Sequence, residues 1–213
     1  MHLLLLPLLV LAADVRWEKA GEADGVKIYS RNREGSEVRE MKATGLIDAT
    51  PEEVWTLLRD YDAYTKNMPY TVEAKVLSRQ NGDKITLMYQ RLETPLVSSR
   101  DYIINLYDES EWKDGKGFYK VRWTAAPVET DSLVPTKQDV VRVRVVDGYW
   151  LLEPFEGGKK TYATYYVFTN PGGSIPVFII NTGNGIAVPR VFDALKAGVV
   201  NRRKAGPAGA AAR

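Results

Sequence analysis

The sequence predicts an α+β domain in which a curved antiparallel β-sheet packs against one long C-terminal α-helix. Three observations predict it: runs of alternating apolar and polar residues follow one another, turn-forming residues separate them, and an apolar helical pattern closes the chain. A mostly antiparallel sheet has two faces, and one of them needs an apolar cover. We expect the C-terminal helix to supply that cover.

Composition limits the possible classes of protein. The 213 residues are 45% hydrophobic, which fits one domain with a core of ordinary size. The 29 Lys and Arg and 27 Asp and Glu residues are interspersed, with a net charge of +2, so no nucleic-acid partner is predicted. Cysteine is absent and the only histidine is His2, so we predict no metal site, no cofactor and no histidine-based catalysis.

The two ends of the chain differ from its middle. An apolar run from Leu3 to Ala13 is shorter than the roughly 20 residues of a membrane-spanning helix, and it is typical of a secretory signal peptide. We expect a signal peptide over residues 1–13, a mature domain over 14–204 and a periplasmic or secreted protein, or a cytoplasmic one if the segment is not cleaved. The Ala- and Gly-rich residues 205–213 predict a disordered tail.

The first half of the domain predicts a β-hairpin followed by a short helix. Residues 25–31 and 36–48 alternate in polarity and meet at a polar turn. The helix is predicted from its N-terminal signals, with Thr50 as the N-cap, Pro51 at the first helical position and Glu53 three residues after the cap. A helix therefore interrupts the strands early.

Strands return after this helix. Turns rich in Gly, Asn and Asp separate predicted strands within residues 72–79, 84–92, 100–109, 117–125, 139–154 and 159–170. The closing helix is predicted from Ile175 to about Val200, with a kink at Pro189, whose ring crowds the preceding turn and which lacks an N–H. Four consecutive large apolar residues, 177–180, lie at its start.

Some motifs suggest functions that the surrounding sequence does not support. Gly183 and Gly185 resemble the start of a dinucleotide-binding loop, but Val188 occupies the third glycine position and too little chain follows. Carboxylate pairs such as Asp60 with Asp62 are better interpreted as solvated turns than as a catalytic acid and base. The many aromatic residues lack a basic stripe, which favours core or cavity wall over base stacking.

Arg100 and Asp101 open an otherwise apolar strand. Because successive side chains of a strand point to opposite faces, the two charges cannot pair simply with each other. Each is expected to need its own partner or solvent.

Three segments, in this order and spacing, resemble the steroidogenic-acute-regulatory-related lipid-transfer (START) domain family. They are PLVSSRDY at 95–102, VPTKQDVVRVRVVDGYWLLEP at 134–154 and NPGGSIPVFIIN at 170–181. The likeness extends over residues 25–200 and suggests a bacterial-type single-domain member. The family's motif positions correspond to Pro95, Arg100, Asp101, Tyr102, Pro135, Lys137, Val141, Arg142, Gly172, Gly173, Ile175, Pro176 and Asn181.

The resemblance implies a helix-grip fold, in which the sheet wraps around the C-terminal helix and leaves a lipid-sized tunnel between them. The apolar run 177–180 is then expected to be the first turn of the tunnel's lid. Lipid-binding roles are predicted for Tyr89, Arg91, Arg100, Tyr102, Ile104, Leu106, Trp123, Val143, Phe178, Thr182 and Ile186.

The implied function is non-enzymatic binding and transfer of a hydrophobic lipid, either a sterol or a phospholipid. Several family members carry a second arginine six residues after the position of Arg100, where this chain has Leu106, so neutral lipids are favoured here. The resemblance further implies transient contact with a membrane surface and a monomer. Two alternatives remain: a cavity enzyme of the same superfamily, in which Tyr89, Arg91 and the tyrosines act as acid and base, and a ligand-sensing module.

Overall fold

The computed structural model describes residues 16–95 and 97–206, and within them the chain forms one curved sheet. The strands are β1 Glu18–Ala23, β2 Val26–Arg33, β3 Ser36–Ile47, β4 Thr71–Gln80, β5 Ile85–Leu92, β6 Arg100–Asp108, β7 Glu111–Lys113, β8 Lys116–Ala125, β9 Val141–Arg142, β10 Val145–Phe155 and β11 Lys160–Asn170. Their order is β1-β2-β3-β11-β10-β8-β6-β5-β4, with β7 beside β8 and β9 beside β6. All neighbours on the main path are antiparallel, as predicted.

Three details of the sheet differ from the prediction, one being that the short strand β7, Glu111–Lys113, was not predicted. The edge strand β1 was not predicted, because its sequence EKAGEA has no alternation of apolar and polar residues. The strand predicted over residues 139–154 is split into β9 and β10. The two parts have different partners: β9 pairs parallel with β6, whereas β10 pairs with β8 and β11.

The early helix α1, Pro51–Leu58, begins as its sequence predicts. The Thr50 hydroxyl accepts a hydrogen bond from the Glu53 N–H at 3.3 Å, and the Glu53 carboxylate accepts one from the Thr50 N–H at 2.9 Å. This reciprocal capping satisfies two backbone donors that a helix start leaves unpaired. Two short turns follow, a 3₁₀ turn at Tyr61–Ala63 and α2 at Tyr64–Asn67.

The long helix α3 spans Val177–Ala205, 29 residues, and lies across one face of the sheet. It starts two residues later than predicted because Pro176 has an extended backbone and serves as the N-cap position. It continues through Pro189 without interruption and ends at Gly206, whose φ of 66° favours glycine. No helix in the described part of the chain is long and apolar enough to cross a membrane.

The C-terminal half of α3 forms the core with the sheet face that it covers, here called the inner face. The buried large apolar residues of this half are Phe192, Leu195 and Val199, and Val188 is buried one turn before them. The Phe192 ring lies 5.2 Å from the Trp150 ring between centroids. Gly198 contacts α1 so closely that a Cβ there would lie 2.6 Å from the Leu57 Cδ2. This half of the helix is therefore firmly held.

A smaller apolar cluster lies on the opposite, outer face, where Leu87, Tyr89 and Ile103 are buried. The loop between β8 and β9, residues 126–140, contributes Ala126 and Val134 to it and contains a 3₁₀ turn at Val128–Leu133. The predicted signal peptide, 1–13, lies outside the described residues. Of the predicted tail, Ala205 belongs to α3, and residues 207–213 lie outside the described chain.

Candidate functional site

A cavity of about 730 Å³ lies between the inner face of the sheet and the N-terminal half of α3. Its sheet wall consists of inward-pointing side chains from β5, β6, β8, β10 and β11, and residues 175–191 form its helix wall. The cavity therefore lies under the N-terminal half of α3, whereas core side chains fill the corresponding space under the C-terminal half.

Nine of the eleven residues predicted to bind lipid line this cavity. They are Arg100, Tyr102, Ile104, Leu106, Trp123, Val143, Phe178, Thr182 and Ile186.

Tyr89 and Arg91 do not line the cavity, which corrects their predicted position. On β5 the inward-pointing residues are Met88, Gln90 and Leu92, so their neighbours point to the outer face. Tyr89 is buried in the outer cluster, and the Arg91 guanidinium forms ion pairs with Glu73 at 3.3 Å and Glu93 at 2.5 Å. Neither side chain can reach a ligand in the cavity from this face.

The two adjacent charges at the start of β6 separate as predicted. Asp101 points outward, is fully buried, and accepts two hydrogen bonds from the Arg142 guanidinium, at 2.6 and 3.1 Å. Asp131 and the Val134 carbonyl also accept hydrogen bonds from Arg142, at 2.6 and 2.9 Å. This buried pair holds the 126–140 loop against the outer face.

Arg100 points inward and is only 8% exposed. Its guanidinium donates to the Ser98 carbonyl, and its Nε atom is buried without a hydrogen-bond partner among the described residues. Burial lowers the pKa of Arg100 from its usual value, since no carboxylate in the described chain pairs with it. The cavity wall thus contains a guanidinium with free donors, which an acceptor group on a ligand would satisfy.

Further polar side chains follow Arg100 along the same wall. The Tyr102 hydroxyl donates to Gln90 Oε1 at 2.7 Å, and Gln90 Nε2 donates to Thr71 Oγ1 at 2.5 Å. Burial, followed by the neighbouring Tyr165, raises the pKa of Tyr102 well above its usual range, so its hydroxyl stays protonated at neutral pH.

The other end of the cavity is apolar. Ile104, Leu106 and Trp123 extend the wall beyond Tyr102, and Met88, Val121, Val146 and Trp150 complete it. The position six residues after Arg100, occupied by Leu106, is therefore part of an apolar surface, and the cavity has one polar end and one apolar end.

The helix wall combines cavity contact with exposure to solvent. Phe178 and Ile186 line the cavity and are nevertheless 71% and 55% exposed. Arg190 lies in the same wall, exposed, with its guanidinium 5.8 Å from the centre of the Tyr70 ring. The apolar start of the helix, predicted to be a lid, is thus a thin cover with apolar groups on its outside.

The prediction missed several polar residues of the cavity wall, among them Gln90, Tyr165 and Arg190. Alternation along β5 shows that Met88 and Gln90 share a face, but not that this face is the inner one. That information lies in the pairing of Gln90 with Tyr102 across β5 and β6.

Comparisons with known proteins agree with this architecture. The family described as polyketide cyclase / dehydrase and lipid transport matches residues 47–196. An uncharacterized protein of Pseudomonas aeruginosa is 30% identical over 167 residues, 78% of each chain. Phosphatidylcholine transfer protein of Mus musculus is 28% identical over 184 residues, covering 85% of this chain and 83% of the relative.

Solved structures show the same fold. A STAR-related lipid transfer protein from Xanthomonas axonopodis superposes with a TM-score of 0.73 at 30% identity, covering 86% of this chain and 98% of the other. Human StAR-related lipid transfer protein 5 superposes with a TM-score of 0.76 at 18% identity, covering 87% and 86%.

The chain therefore belongs to the polyketide cyclase / dehydrase and lipid transport family. Within it, the curved sheet around a long C-terminal helix makes this protein a START domain with the helix-grip fold, as the sequence predicts.

Proposed function

We propose that the protein binds one lipid in this cavity and carries it between membranes without converting it chemically. The observation that supports this most directly is the cavity's arrangement, an apolar compartment with the Arg100 guanidinium, whose Nε has no hydrogen-bond partner in the described chain, at one end. A lipid placed with its polar group at Arg100 leaves its apolar body against Leu106 and Trp123. This orientation satisfies the buried donors and removes apolar surface from water at the same time.

The size of the cavity fits this proposal. Its 730 Å³ lie within the range of roughly 300 to 1,000 Å³ that small-molecule sites occupy. At about 30 Å³ per water-sized group, it holds about 24 such groups, which suits a sterol or one long acyl chain with its head. Burying roughly 400 Å² of apolar ligand at about 25 cal/mol per Å² contributes about 10 kcal/mol before the costs of association.

The helix wall supports the proposed contact with a membrane. Phe178 and Ile186 expose apolar surface directly above the cavity, and the exposed Arg190 adds a positive charge that anionic headgroups attract. We expect Phe178→Ser with Ile186→Ser to weaken cosedimentation with vesicles that contain anionic lipid. The matched control Val128→Ser with Leu133→Ser removes two equally exposed apolar residues from the 126–140 loop, which does not line the cavity. Equal loss in both pairs would contradict a specific role for the helix wall.

The proposal is tested by loading the lipid-free protein with a lipid extract from its own source and identifying the bound lipid by native mass spectrometry. A vesicle-to-vesicle assay then measures transfer. We expect one lipid per chain, recovered chemically unchanged, and faster transfer with protein than without it. Recovery of an altered ligand would establish a cavity enzyme instead, and binding without transfer would establish a ligand sensor.

A further inference from the structure

Four polar side chains besides Arg100 line the cavity on its sheet and α2 sides, and we name them the phenol–amide cluster: Tyr64, Gln90, Tyr102 and Tyr165. They come from α2, β5, β6 and β11 and are brought together by the curvature of the sheet. Gln90 and Tyr102 lie opposite each other on β5 and β6, and Tyr165 lines the same cavity with its ring against Trp123 and Trp150. None of these four side chains contributes to the ion pairs that join the loop 126–140 and α3 to the rest of the described chain.

The hydrogen bonds within the cluster determine what it offers to a ligand. The Tyr64 hydroxyl donates a hydrogen bond to the Leu58 carbonyl at 2.7 Å. The Tyr102 hydroxyl donates one to Gln90 Oε1, also at 2.7 Å. The Tyr102 oxygen is therefore left as an acceptor. Gln90 Nε2 donates one of its two hydrogens to Thr71 Oγ1, and the other remains free to donate to a ligand.

Tyr165 adds a hydroxyl that has no hydrogen-bond partner within the described residues, although its ring packs 4.5 Å from Trp150 and 5.8 Å from Trp123. Its oxygen can both donate and accept. The cluster thus presents acceptors and donors side by side, in contrast to Arg100, which offers donors alone. A carbonyl or ester oxygen can use only the donors, whereas a hydroxyl group can use both kinds.

We propose that the phenol–amide cluster binds a free hydroxyl group of the lipid. The Tyr102 oxygen accepts a hydrogen bond from the lipid hydroxyl, and Gln90 Nε2 donates one to the hydroxyl oxygen. Arg100 and Tyr102 are two residues apart on one strand face, about 6.6 Å, so the hydroxyl lies a few bonds from the acceptor group that Arg100 binds. This rests on the proposed function and narrows its ligand class to hydroxylated amphiphiles, in preference to fully esterified lipids, which have no hydroxyl to offer.

The test compares two probes that differ by one oxygen atom, 3-hydroxyhexadecanoate and hexadecanoate, both with a carboxylate for Arg100. Their affinities for the lipid-free protein are measured by tryptophan fluorescence below the concentration at which they aggregate. We expect the wild type to bind the hydroxy acid about tenfold more tightly, the effect of one net hydrogen bond. Tyr102→Phe and Gln90→Met are each expected to reduce this ratio to about twofold or less; the ratio isolates the hydroxyl contact because the two probes are otherwise identical.

The matched control is Tyr107→Phe, which removes a phenol oxygen from the same strand but from outside the cavity lining, where Arg122 stacks on the ring at 4.3 Å. It should keep the tenfold ratio, and circular dichroism should show the native fold in all variants. If Gln90→Met fails to fold, Tyr102→Phe still decides.

Each outcome has a separate meaning. A wild-type ratio near one, or a tenfold ratio that persists in Tyr102→Phe, overturns the hydroxyl subsite while lipid binding stands. Failure of the wild type to retain any lipid from its native extract overturns the proposed function itself.

Discussion

At the scale of single residues, the start of β6 shows how two adjacent charges acquire unrelated roles. Asp101 faces outward and is neutralised by Arg142, whereas Arg100 faces inward, where no carboxylate of the described chain reaches it. The first arrangement satisfies a buried charge within the fold. The second leaves donors for a ligand, which is the property that we expect a binding site to have.

The apolar end of the cavity is tested by Leu106→Arg. Leu106 is buried and lines the cavity, so a guanidinium there has no carboxylate partner and must displace apolar ligand surface. We expect affinity for a neutral sterol such as cholesterol to fall by several kcal/mol, with the fold intact by circular dichroism. Unchanged affinity would show that the ligand does not reach this end of the cavity.

At the scale of secondary-structure elements, the two halves of α3 make different contacts. The C-terminal half is packed against the sheet and α1, and it is tied by ion pairs of Arg202 with Asp60 and of Arg203 with Glu53. The N-terminal half covers the cavity and is joined to β3 by a hydrogen bond from the Arg39 N–H to Asn181 Oδ1, at 3.1 Å. Gly183 and Gly185 lie within the N-terminal half, and a Cβ added at either would meet no atom within 4 Å outside its own stretch of helix. The glycines are therefore not required by close packing.

The double change Gly183→Ala with Gly185→Ala tests whether these glycines act as a hinge. Each alanine should stabilise the helix by up to about 1 kcal/mol, since nothing clashes with the added methyl groups. We expect a higher free energy of unfolding, slower lipid exchange and nearly unchanged equilibrium affinity. Gly198→Ala is the contrasting control, because its methyl would press on Leu57 and destabilise the protein. Exchange at the wild-type rate in a stabilised double mutant would exclude the hinge.

The junction between α1 and α3 should depend on pH. Hydrogen bonds from Arg203, and then from the Thr50 backbone, lower the pKa of Glu53 from 4.5 to about 2, against the opposing effect of burial. Because the pKa is lower in the folded state, this stabilisation is present above about pH 4.5 and is lost as pH falls towards 2. The carboxylate is 37% exposed, so solvent screening limits its contribution to less than about 1 kcal/mol.

Urea unfolding of Glu53→Gln measures this contribution, since glutamine keeps the reciprocal cap with Thr50 but loses the charge. We expect the variant to be less stable than the wild type at pH 7 and equally stable near pH 2. Glu52→Gln, next to it and without an ion pair in the described chain, serves as the control. A stability difference that is independent of pH would contradict the ion-pair explanation.

At the scale of the whole molecule, the N-terminal segment predicts export. We propose that residues 1–13 are a signal peptide, on the evidence of their apolar run followed by small residues. The native protein is then expected to begin at or near Asp14 and to occur in the periplasm or outside the cell. N-terminal sequencing of protein from its source measures this, and a cytosolic product that keeps Met1 would refute it.

Local sequence patterns predicted most of the strands, the capped helix α1 and the covering helix, because periodicity and capping depend on neighbouring residues. The START family was identified by the resemblance of three separate segments. Which face of the sheet each side chain occupies was harder to predict from sequence. Tyr89 and Arg91 were predicted on the inner face, yet the pairing of Arg91 with Asp101 places them outside. A shift of one residue reverses every side chain of a strand, and the alternation of β5 alone does not say which set faces α3.

The sequence by itself determined that this protein is an antiparallel sheet with one apolar helix, since periodicity and capping are properties of short segments. Only the tertiary structure decided that Gln90, Tyr102 and Tyr165 meet around one cavity, and that Arg100 and Asp101 have separate environments. The physical reason is that these contacts join strands distant in the chain. Their positions depend on the register and curvature of the whole sheet, which the alternation of apolar and polar residues along a single strand does not determine.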